Sequence, residues 1–242
     1  MIINTKVYKT QFSKVCMALK LNATRKAYQE FYGRNVVQMP KLIADGRVPM
    51  NVAQLMQKRL DVRNSDAKVK SAYMNNYFDT GDAVVYHPDG RIKIVLDSQI
   101  LREMTLKSPI NNGALILARE VYDSLQGEEF ERRKLGKVNE WLTQEQAKAH
   151  PVWKVLARDQ ALLDDYVDYI FAEGKQRFNY DTAMRVYLGS AVDNVKMRAW
   201  CVDGLVDRSS AYGWDDLDDV NGRFVGIAPE ALQSASVKGA SP

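Results

Sequence analysis

A strand–turn–strand pattern decides the predicted fold: Ala83-Val84-Val85-Tyr86, His87-Pro88-Asp89-Gly90, then Arg91-Ile92-Lys93-Ile94-Val95-Leu96. In the turn, proline fixes one φ angle and glycine accepts a positive one. Arg91 and Lys93 alternate with two isoleucines, which is typical of a strand with one face in water. We therefore expect a β-hairpin at 83–96 whose one side faces solvent.

Most of the remaining chain has apolar residues at three- and four-residue steps, the spacing of amphipathic helices. The longest predicted helix covers 152–173, where an apolar stripe runs from Val152 to Phe171. Thr143 and Gln146 have the spacing of a capping box and predict the start of a shorter helix. Further helices are expected near 5–20, 22–33, 40–45, 51–62, 99–111, 114–126 and 180–188.

Two segments near the C-terminus, Trp200–Val202 and Arg223–Ile227, are predicted to be short strands within 200–227. The predicted class is therefore α+β and mainly helical. We expect three parts, which are a basic helical subdomain at 1–78, a main body with the hairpin at 79–230, and a mobile tail at 231–242.

Composition excludes several classes of protein. The 242 residues are 46% hydrophobic and 26% charged, values that are typical of globular proteins and not of disordered ones. No apolar run reaches the roughly 18 residues of a membrane span, and the N-terminus does not resemble a signal peptide. Cys16 and Cys201 form no C-x-x-C pair, which argues against a disulfide framework or a cysteine-rich zinc site. These features predict a cytoplasmic protein without a membrane partner.

Charge is distributed unevenly along the chain. Residues 1–70 contain nine Lys and five Arg but only four acidic residues, giving a net charge of +10. The remaining residues carry −6, and residues 200–230 are the most acidic part. Such asymmetry indicates either a polyanionic partner or attraction between the two ends of the chain.

The basic segment favours nucleic-acid binding, because its cations are interleaved with aromatic residues that stack on bases. Residues 39–62 also have the outline of a helix-turn-helix, to which the hairpin at 83–96 would add a wing. The predicted function is thus non-enzymatic nucleic-acid binding. The candidate contact residues are Lys14, Lys20, Arg25, Lys26, Arg34, Lys58, Arg59, Arg63, Arg91 and Lys93.

Two alternatives stay open at the level of sequence. The protein could be an interaction or self-assembly subunit, a homo-oligomer in which the basic N-terminal region of one copy meets the acidic 200–230 region of another. It could also be a metal-dependent nuclease that uses carboxylates around the hairpin. Those carboxylates are Asp79, Asp82, Asp89 and Asp97, but the Asp-then-Glu-x-Lys spacing of nuclease cores is absent.

No local motif predicts a cofactor or a metal site. The acidic loop 215–222 does not fit the EF-hand pattern, so we expect it to be solvated or docked on basic residues. His87 in the turn and His150 before a proline are predicted to be cap or surface residues. The absence of a phosphate loop, a G-x-S-x-G elbow and an H-E-x-x-H pair disfavours the enzyme classes that need them.

Overall fold

The computed structural model of the protein describes Leu19, Leu21 and residues 27–232. The strands are β1 (Tyr28–Tyr32), β2 (Val48–Pro49), β3 (Phe78–Tyr86), β4 (Arg91–Val95), β5 (Ile110–Asn111), β6 (Ala114–Leu117), β7 (Glu128–Glu131), β8 (Trp141–Leu142), β9 (Met184–Tyr187), β10 (Val195–Val202), β11 (Ala211–Tyr212) and β12 (Arg223–Ile227). The α-helices are α1 (Asn35–Ala44), α2 (Val52–Asp61), α3 (Ala67–Met74), α4 (Gln99–Arg102), α5 (Arg119–Ser124), α6 (Gln144–Ala149), α7 (Pro151–Ala157) and α8 (Gln160–Phe178). Short 3-10 helices lie at Val62–Asn64, Arg132–Lys134 and Leu205–Asp207. The predicted helix at 5–20 falls outside the described residues, except for Leu19, which is not helical.

Twelve described strands are joined by hydrogen bonds into one mixed sheet, so the prediction of a mainly helical protein is wrong. The main path through the sheet has the order β1-β12-β3-β10-β11-β9-β8. The two longest strands, β3 and β10, pair antiparallel, and β10 pairs with β6 and β11 along its other edge. The sheet, rather than a helical bundle, positions the rest of the chain.

Helices cover both faces of this sheet. Val84 and Tyr86 of β3 belong to a core cluster that includes α2, α7 and α8. Ala83 and Val85 belong to a second cluster that includes α1, α4 and α5. Because successive side chains of a strand point to opposite faces, β3 contributes to both clusters and is buried along its whole length.

The hairpin expected at 83–96 is present, with β3 and β4 paired from Ala83 opposite Val95 to Tyr86 opposite Ile92. Its predicted solvent-facing side is wrong, because Lys93 is only 7% exposed. The Lys93 ammonium group donates to the backbone oxygens of Tyr122 and Leu125, at the end of α5. The lysine therefore lies under a helix rather than in water.

The chain segment predicted as a helix near 22–33 contains β1 instead. β1 pairs antiparallel with β12 over five residue pairs, from Tyr28 opposite Ile227 to Tyr32 opposite Arg223. The aromatic residues of β1 fit helical spacing equally well, but they also favour strands. Pairing with a segment almost two hundred residues away makes this stretch a strand rather than a helix. A local sequence pattern contains no information about that pairing.

Two other predicted helices, at 114–126 and 180–188, contain strands for the same reason. Residues 114–117 form β6, and α5 begins only at Arg119. Residues 184–187 form β9, paired with β8 and β11. Asn112 and Gly113 both have positive φ angles, 49° and 72°, and they connect β5 to β6 in a hairpin rather than ending a helix.

The helix start predicted from the capping box at Thr143 is confirmed, and the helix predicted at 51–62 from its apolar spacing is present as α2. α2 begins after Asn51 and α6 after Thr143, each with a complete capping box. The predicted long helix at 152–173 is divided into α7 and α8 by Arg158, whose φ of 64° is left-handed. In the described part of the chain, no helix combines the length and apolar character that crossing a membrane requires.

Candidate functional site

Four of the ten predicted nucleic-acid contacts lie outside the described residues: Lys14, Lys20, Arg25 and Lys26. Among the other six, Arg34 and Arg63 are exposed. Lys58 is half-buried, and its ammonium nitrogen lies 3.9 Å from the centre of the Tyr28 ring. Burial lowers the pKa of Lys58, although the charge of Asp61 opposes that shift. The Lys58 side chain is thus only partly available to a nucleic acid.

Arg59 is fully buried and cannot contact a polyanion. Its guanidinium group donates five hydrogen bonds within the protein, three of them to backbone oxygens. The acceptors are the backbone oxygens of Tyr73, Asn76 and Asp203 and the hydroxyl groups of Tyr166 and Ser209. This arginine joins α2 to α3, α8 and the loop after β10.

Arg91, which is partly exposed, and Lys93, which is buried, both have ion-pair partners within the protein. Arg91 pairs with Asp89 at 2.8 Å and with Glu129 at 3.2 Å. Lys93 lies 3.7 Å from Glu129 and 4.4 Å from the centre of the Tyr122 ring. The hairpin predicted to be a nucleic-acid-binding wing is therefore bound to α5 and β7 through these two side chains.

The predicted helix-turn-helix at 39–62 is also wrong. α1 packs in the second core cluster and α2 in the first, so these helices lie on opposite faces of the sheet. Between them, β2 pairs with β12 inside the sheet. A helix-turn-helix needs its two helices in mutual contact so that one supports the other in the groove of DNA.

The carboxylates considered for a nuclease hold structural elements together. Asp82 is fully buried, accepts backbone N–H groups of Val52 and Asp97, and pairs with Arg158 at 2.7 Å. Burial raises the pKa of Asp82, and the Arg158 guanidinium opposes that shift. Asp97 pairs with the same Arg158 at 2.9 Å. These contacts connect α2, β4 and the α7–α8 junction.

Asp89 stabilises the hairpin turn. Desolvation acts to raise its pKa, but hydrogen bonds from the backbone and side chain of Arg91 and from His87 lower that pKa to about 2. His87 lies 2.7 Å from the Asp89 carboxylate, and the His87 ring packs against Tyr122. The other histidine, His150, caps α7, which confirms the predicted cap role.

Asp79, Cys201 and Asp215 form the one group of described residues with the spacing of metal ligands, since their ligand atoms lie within 4.8 Å of one another. All three are buried. One oxygen of Asp79 accepts the backbone N–H of Arg223, and one oxygen of Asp215 accepts that of Asp216. Arg198 of β10 donates to the backbone oxygen of Asp215 at 2.8 Å and pairs with Asp216 at 2.6 Å, so the acidic loop is docked on the sheet.

A different set of residues, half-buried except for the exposed Trp141, forms a surface at the sheet edge made by β8, β9 and β11. The alternating burial of β9 points Arg185 and Tyr187 outward while Met184 and Val186 enter the core. Register then places Trp141 of β8 beside Arg185, and Tyr212 of β11 beside Tyr187. We call this surface the arginine–aromatic face; its residues are Trp141, Tyr180, Arg185, Tyr187, Arg208 and Tyr212.

Cation–π contacts hold this face together. The guanidinium carbons of Arg185 and Arg208 lie 4.4 Å and 4.7 Å from the centre of the Trp141 ring. Arg208 also lies 4.4 Å from the centre of Tyr180, and Arg185 lies 5.3 Å from that of Tyr187. Trp141 is nevertheless 37% exposed, so the centre of the face remains open to a partner.

Among the described residues, the side-chain hydrogen-bond partners of the two arginines are hydroxyl groups rather than carboxylates. Among described residues, none of the carboxylates lies within ion-pair distance of Arg185 or Arg208. Instead, Arg185 donates to the hydroxyl of Ser210 at 3.0 Å, and Arg208 donates to that of Thr182. Asp207 is exposed overall, but desolvation of its carboxyl group raises its pKa, and the charge of Arg185 opposes this shift.

Sequence reasoning missed the arginine–aromatic face completely. Its members come from three strands and two connecting segments spread over residues 141–212. The available signal is the alternation of apolar and polar residues in Met184-Arg185-Val186-Tyr187, a stretch that lies in the helix predicted at 180–188. Reading that stretch as a strand would have placed Arg185 and Tyr187 on one face, but not beside Trp141.

No protein-family model matches the chain, and no curated protein does so either. One solved structure is similar. Its description concerns the accommodation of massive sequence variation in Nanoarchaeota by the C-type lectin fold. The TM-score is 0.61 at 15% sequence identity, with 85% of this chain and 100% of that chain covered. The chain therefore has a C-type lectin fold, which is not a fold associated with nucleic-acid binding. Together with the burial of Arg59 and Lys93, this overturns the predicted nucleic-acid function.

Proposed function

We propose that the protein is a recognition protein that binds a partner protein through the arginine–aromatic face. The observation that carries this proposal is Trp141, a tryptophan that stays exposed while two guanidinium groups pack against its ring. Tryptophan, tyrosine and arginine are the residues most enriched at the energetic centres of protein interfaces. All six members of the face belong to these three types.

The charge of the face selects the kind of partner. Arg185 and Arg208 have hydroxyl groups as their side-chain hydrogen-bond partners within the described chain. A partner that offers carboxylates could pair with both guanidinium groups in the bidentate geometry that arginine favours. The proposed partner is thus a protein segment with acidic side chains next to aromatic ones.

The architecture of the face also suits recognition. On β9, each outward side chain alternates with a buried one, so Arg185 and Tyr187 can be replaced by other residues without any change in the core. The similar structure from Nanoarchaeota is described as accommodating massive sequence variation by the same fold. We infer that the outward side chains of β8, β9 and β11 set specificity while the sheet beneath them stays constant.

The test uses synthetic polymers as stand-ins for an acidic partner. We expect the immobilised full chain to bind a random glutamate–tyrosine copolymer more tightly than polyglutamate, and not to bind a lysine–tyrosine copolymer. Trp141→Ala and the double variant Arg185→Gln/Arg208→Gln should each weaken binding by about tenfold, in line with single interface anchors. Arg119→Gln removes an exposed arginine from α5, outside the face, and should leave binding unchanged.

Three results would overturn the proposal. They are absence of binding to the glutamate–tyrosine copolymer at about 0.1 M salt, equal weakening by Arg119→Gln, and binding to polyglutamate that is as tight as binding to the copolymer. The last result would mean that net charge alone attracts the polymer and that the aromatic residues of the face contribute nothing.

A further inference from the structure

A groove lies beside the tip of the β3–β4 hairpin and has a volume of about 650 Å³. Small-molecule sites span about 300–1,000 Å³. The groove is lined by residues of the hairpin turn and of the segment after β7, which are Asp89, Gly90, Arg91, Glu131, Arg132, Arg133, Gly136 and Val138. A smaller cavity of about 80 Å³ shares Gly90, Arg91 and Arg132 with it. The groove is therefore large enough for a ligand of metabolite size.

Four of the five charged residues on the groove wall neutralise each other or a neighbour. Arg91 pairs with Asp89 at 2.8 Å, and Arg133 pairs with Glu131 at 2.9 Å. Arg132 lines both cavities, and none of the described carboxylates lies within ion-pair distance of it. The groove thus holds one guanidinium charge that the described protein leaves without a counter-ion.

Arg132 is held in place by groups that do not neutralise it. Its backbone N–H donates to the backbone oxygen of Gly90 at 3.1 Å, which joins the 3-10 helix to the hairpin tip. One guanidinium nitrogen donates to the backbone oxygen of Leu188 at 3.2 Å. A guanidinium has five N–H donors in a rigid fork, so most of its donors remain for a ligand. Fixing the group in advance lowers the entropy cost of binding.

We propose that this groove binds a small molecule carrying a single carboxylate or phosphate group, whose oxyanion pairs with Arg132. Two oxygens of a carboxylate or of a phosphate group accept parallel hydrogen bonds from the fork of a guanidinium. Asp89 and Glu131 on the same wall repel a ligand with several anionic groups, so a ligand with one carboxylate or one phosphate group is favoured over a polyanion. This site is separate from the arginine–aromatic face and does not depend on the function proposed for that face.

The test is a titration of the full chain with three probes, followed by nitrogen-15 NMR at constant ionic strength and pH 7. The probes are benzoate, phenyl phosphate and neutral benzamide. We expect saturable shifts of the Arg132 side-chain N–H and of the Gly90 and Gly136 amides with at least one of the two anions. Binding of benzoate alone identifies a carboxylate ligand, and binding of phenyl phosphate alone identifies a phosphate ligand.

Matched variants decide whether Arg132 is the anchor. Arg132→Gln should weaken anion binding at least tenfold, whereas Arg133→Gln, one residue away and already paired with Glu131, should change it less than twofold. Trp141→Ala, which disables the arginine–aromatic face, should leave anion binding intact. The proposal fails if no anion gives saturable shifts, if benzamide binds as tightly as the anions, or if the two arginine variants behave alike.

Discussion

At the scale of single residues, Arg59 is the most unusual feature of the core. It is a fully buried cation whose hydrogen-bond acceptors are all neutral backbone or hydroxyl oxygens. A buried charged group is tolerated only where its hydrogen-bond donors have acceptors. Here five hydrogen bonds satisfy the N–H donors of the guanidinium group. The residue therefore works as a cross-link between four parts of the chain.

Replacing Arg59 by methionine should lower the free energy of unfolding by about 3 kcal/mol or more, because several buried oxygens lose their donor at once. Arg59→Lys should also destabilise the protein, since an ammonium group has three donors for five acceptors. Urea denaturation followed by tryptophan fluorescence measures both changes.

Arg63→Met is the matched control, as it removes an exposed arginine one helical turn farther along. Surface changes of this kind stay within about 0.5 kcal/mol. Equal losses in Arg59→Met and Arg63→Met would contradict the role assigned to Arg59.

The burial of Arg59 could not be predicted from its neighbours in the chain. It lies in a charged stretch, with Lys58 before it and Arg63 after it, that is typical of a solvated helix face. The partners that bury it are 14 to 150 residues away in the chain. The local charge pattern thus shows that the helix is rich in cations, but it does not show which of these side chains are exposed to water.

At the scale of secondary-structure elements, one histidine joins two helices. His150 ends α6 and caps the start of α7, where its Nδ1 accepts the backbone N–H of Val152. Its Nε2 lies 3.1 Å from the backbone oxygen of Lys137. Both contacts are satisfied together only by the neutral ring with its proton on Nε2. Burial lowers the pKa of His150, which agrees with a neutral ring.

This arrangement predicts how stability depends on pH. As the pH falls through about 6.5, the ordinary pKa of histidine, the unfolded chain takes up a proton that the folded protein resists. The contribution of His150 to stability is therefore complete above that pH and decreases as the pH falls toward the lowered pKa of the folded state. Urea midpoints between pH 8 and pH 5 should show this decrease in the wild type.

His150→Asn provides the comparison, because asparagine also caps helices but does not titrate. The variant should lose less stability than the wild type over the same pH range. If both proteins show the same pH dependence, His150 is not the group responsible.

The elements that could be predicted are those whose signal is local. The capping boxes at Asn51 and Thr143 are complete within four residues, and both helices begin where expected. The short apolar runs at 114–117 and 184–187 fit a helix or a strand equally well, and their strand partners lie elsewhere in the chain. The arginine–aromatic face depends on those partners, so no local reading reveals it.

At the scale of the whole molecule, the last of the described strands completes the sheet. β12 lies between β1 and β3, and it also pairs with β2. Its residues Phe224 and Val225 enter the two core clusters on opposite faces. The sequence shows a short apolar run here, but its place inside the sheet comes from pairing with segments near the other end of the chain.

A chain that ends at Gly222 should therefore lose cooperative unfolding, because β1 and β3 are left without the strand between them. A chain that ends at Leu232 keeps every element named above and should retain a cooperative transition. Near-ultraviolet circular dichroism during heating distinguishes the two, since it reports fixed packing around aromatic residues. A cooperative transition in the shorter chain would contradict the central place given to β12.

The pairing of β1 with β12 also determines how the protein would respond to mechanical force. Tyr28 lies opposite Ile227, and the backbone N–H of Ala228 donates to Ala27 at 2.9 Å, so the chain enters and leaves this ladder at the same end. Tension applied through residues 27 and 228 would load the five pairs one after another rather than all together. The ladder would open as a zipper and yield at low force, and β1 would peel away while β3 and β10 still held the rest of the sheet.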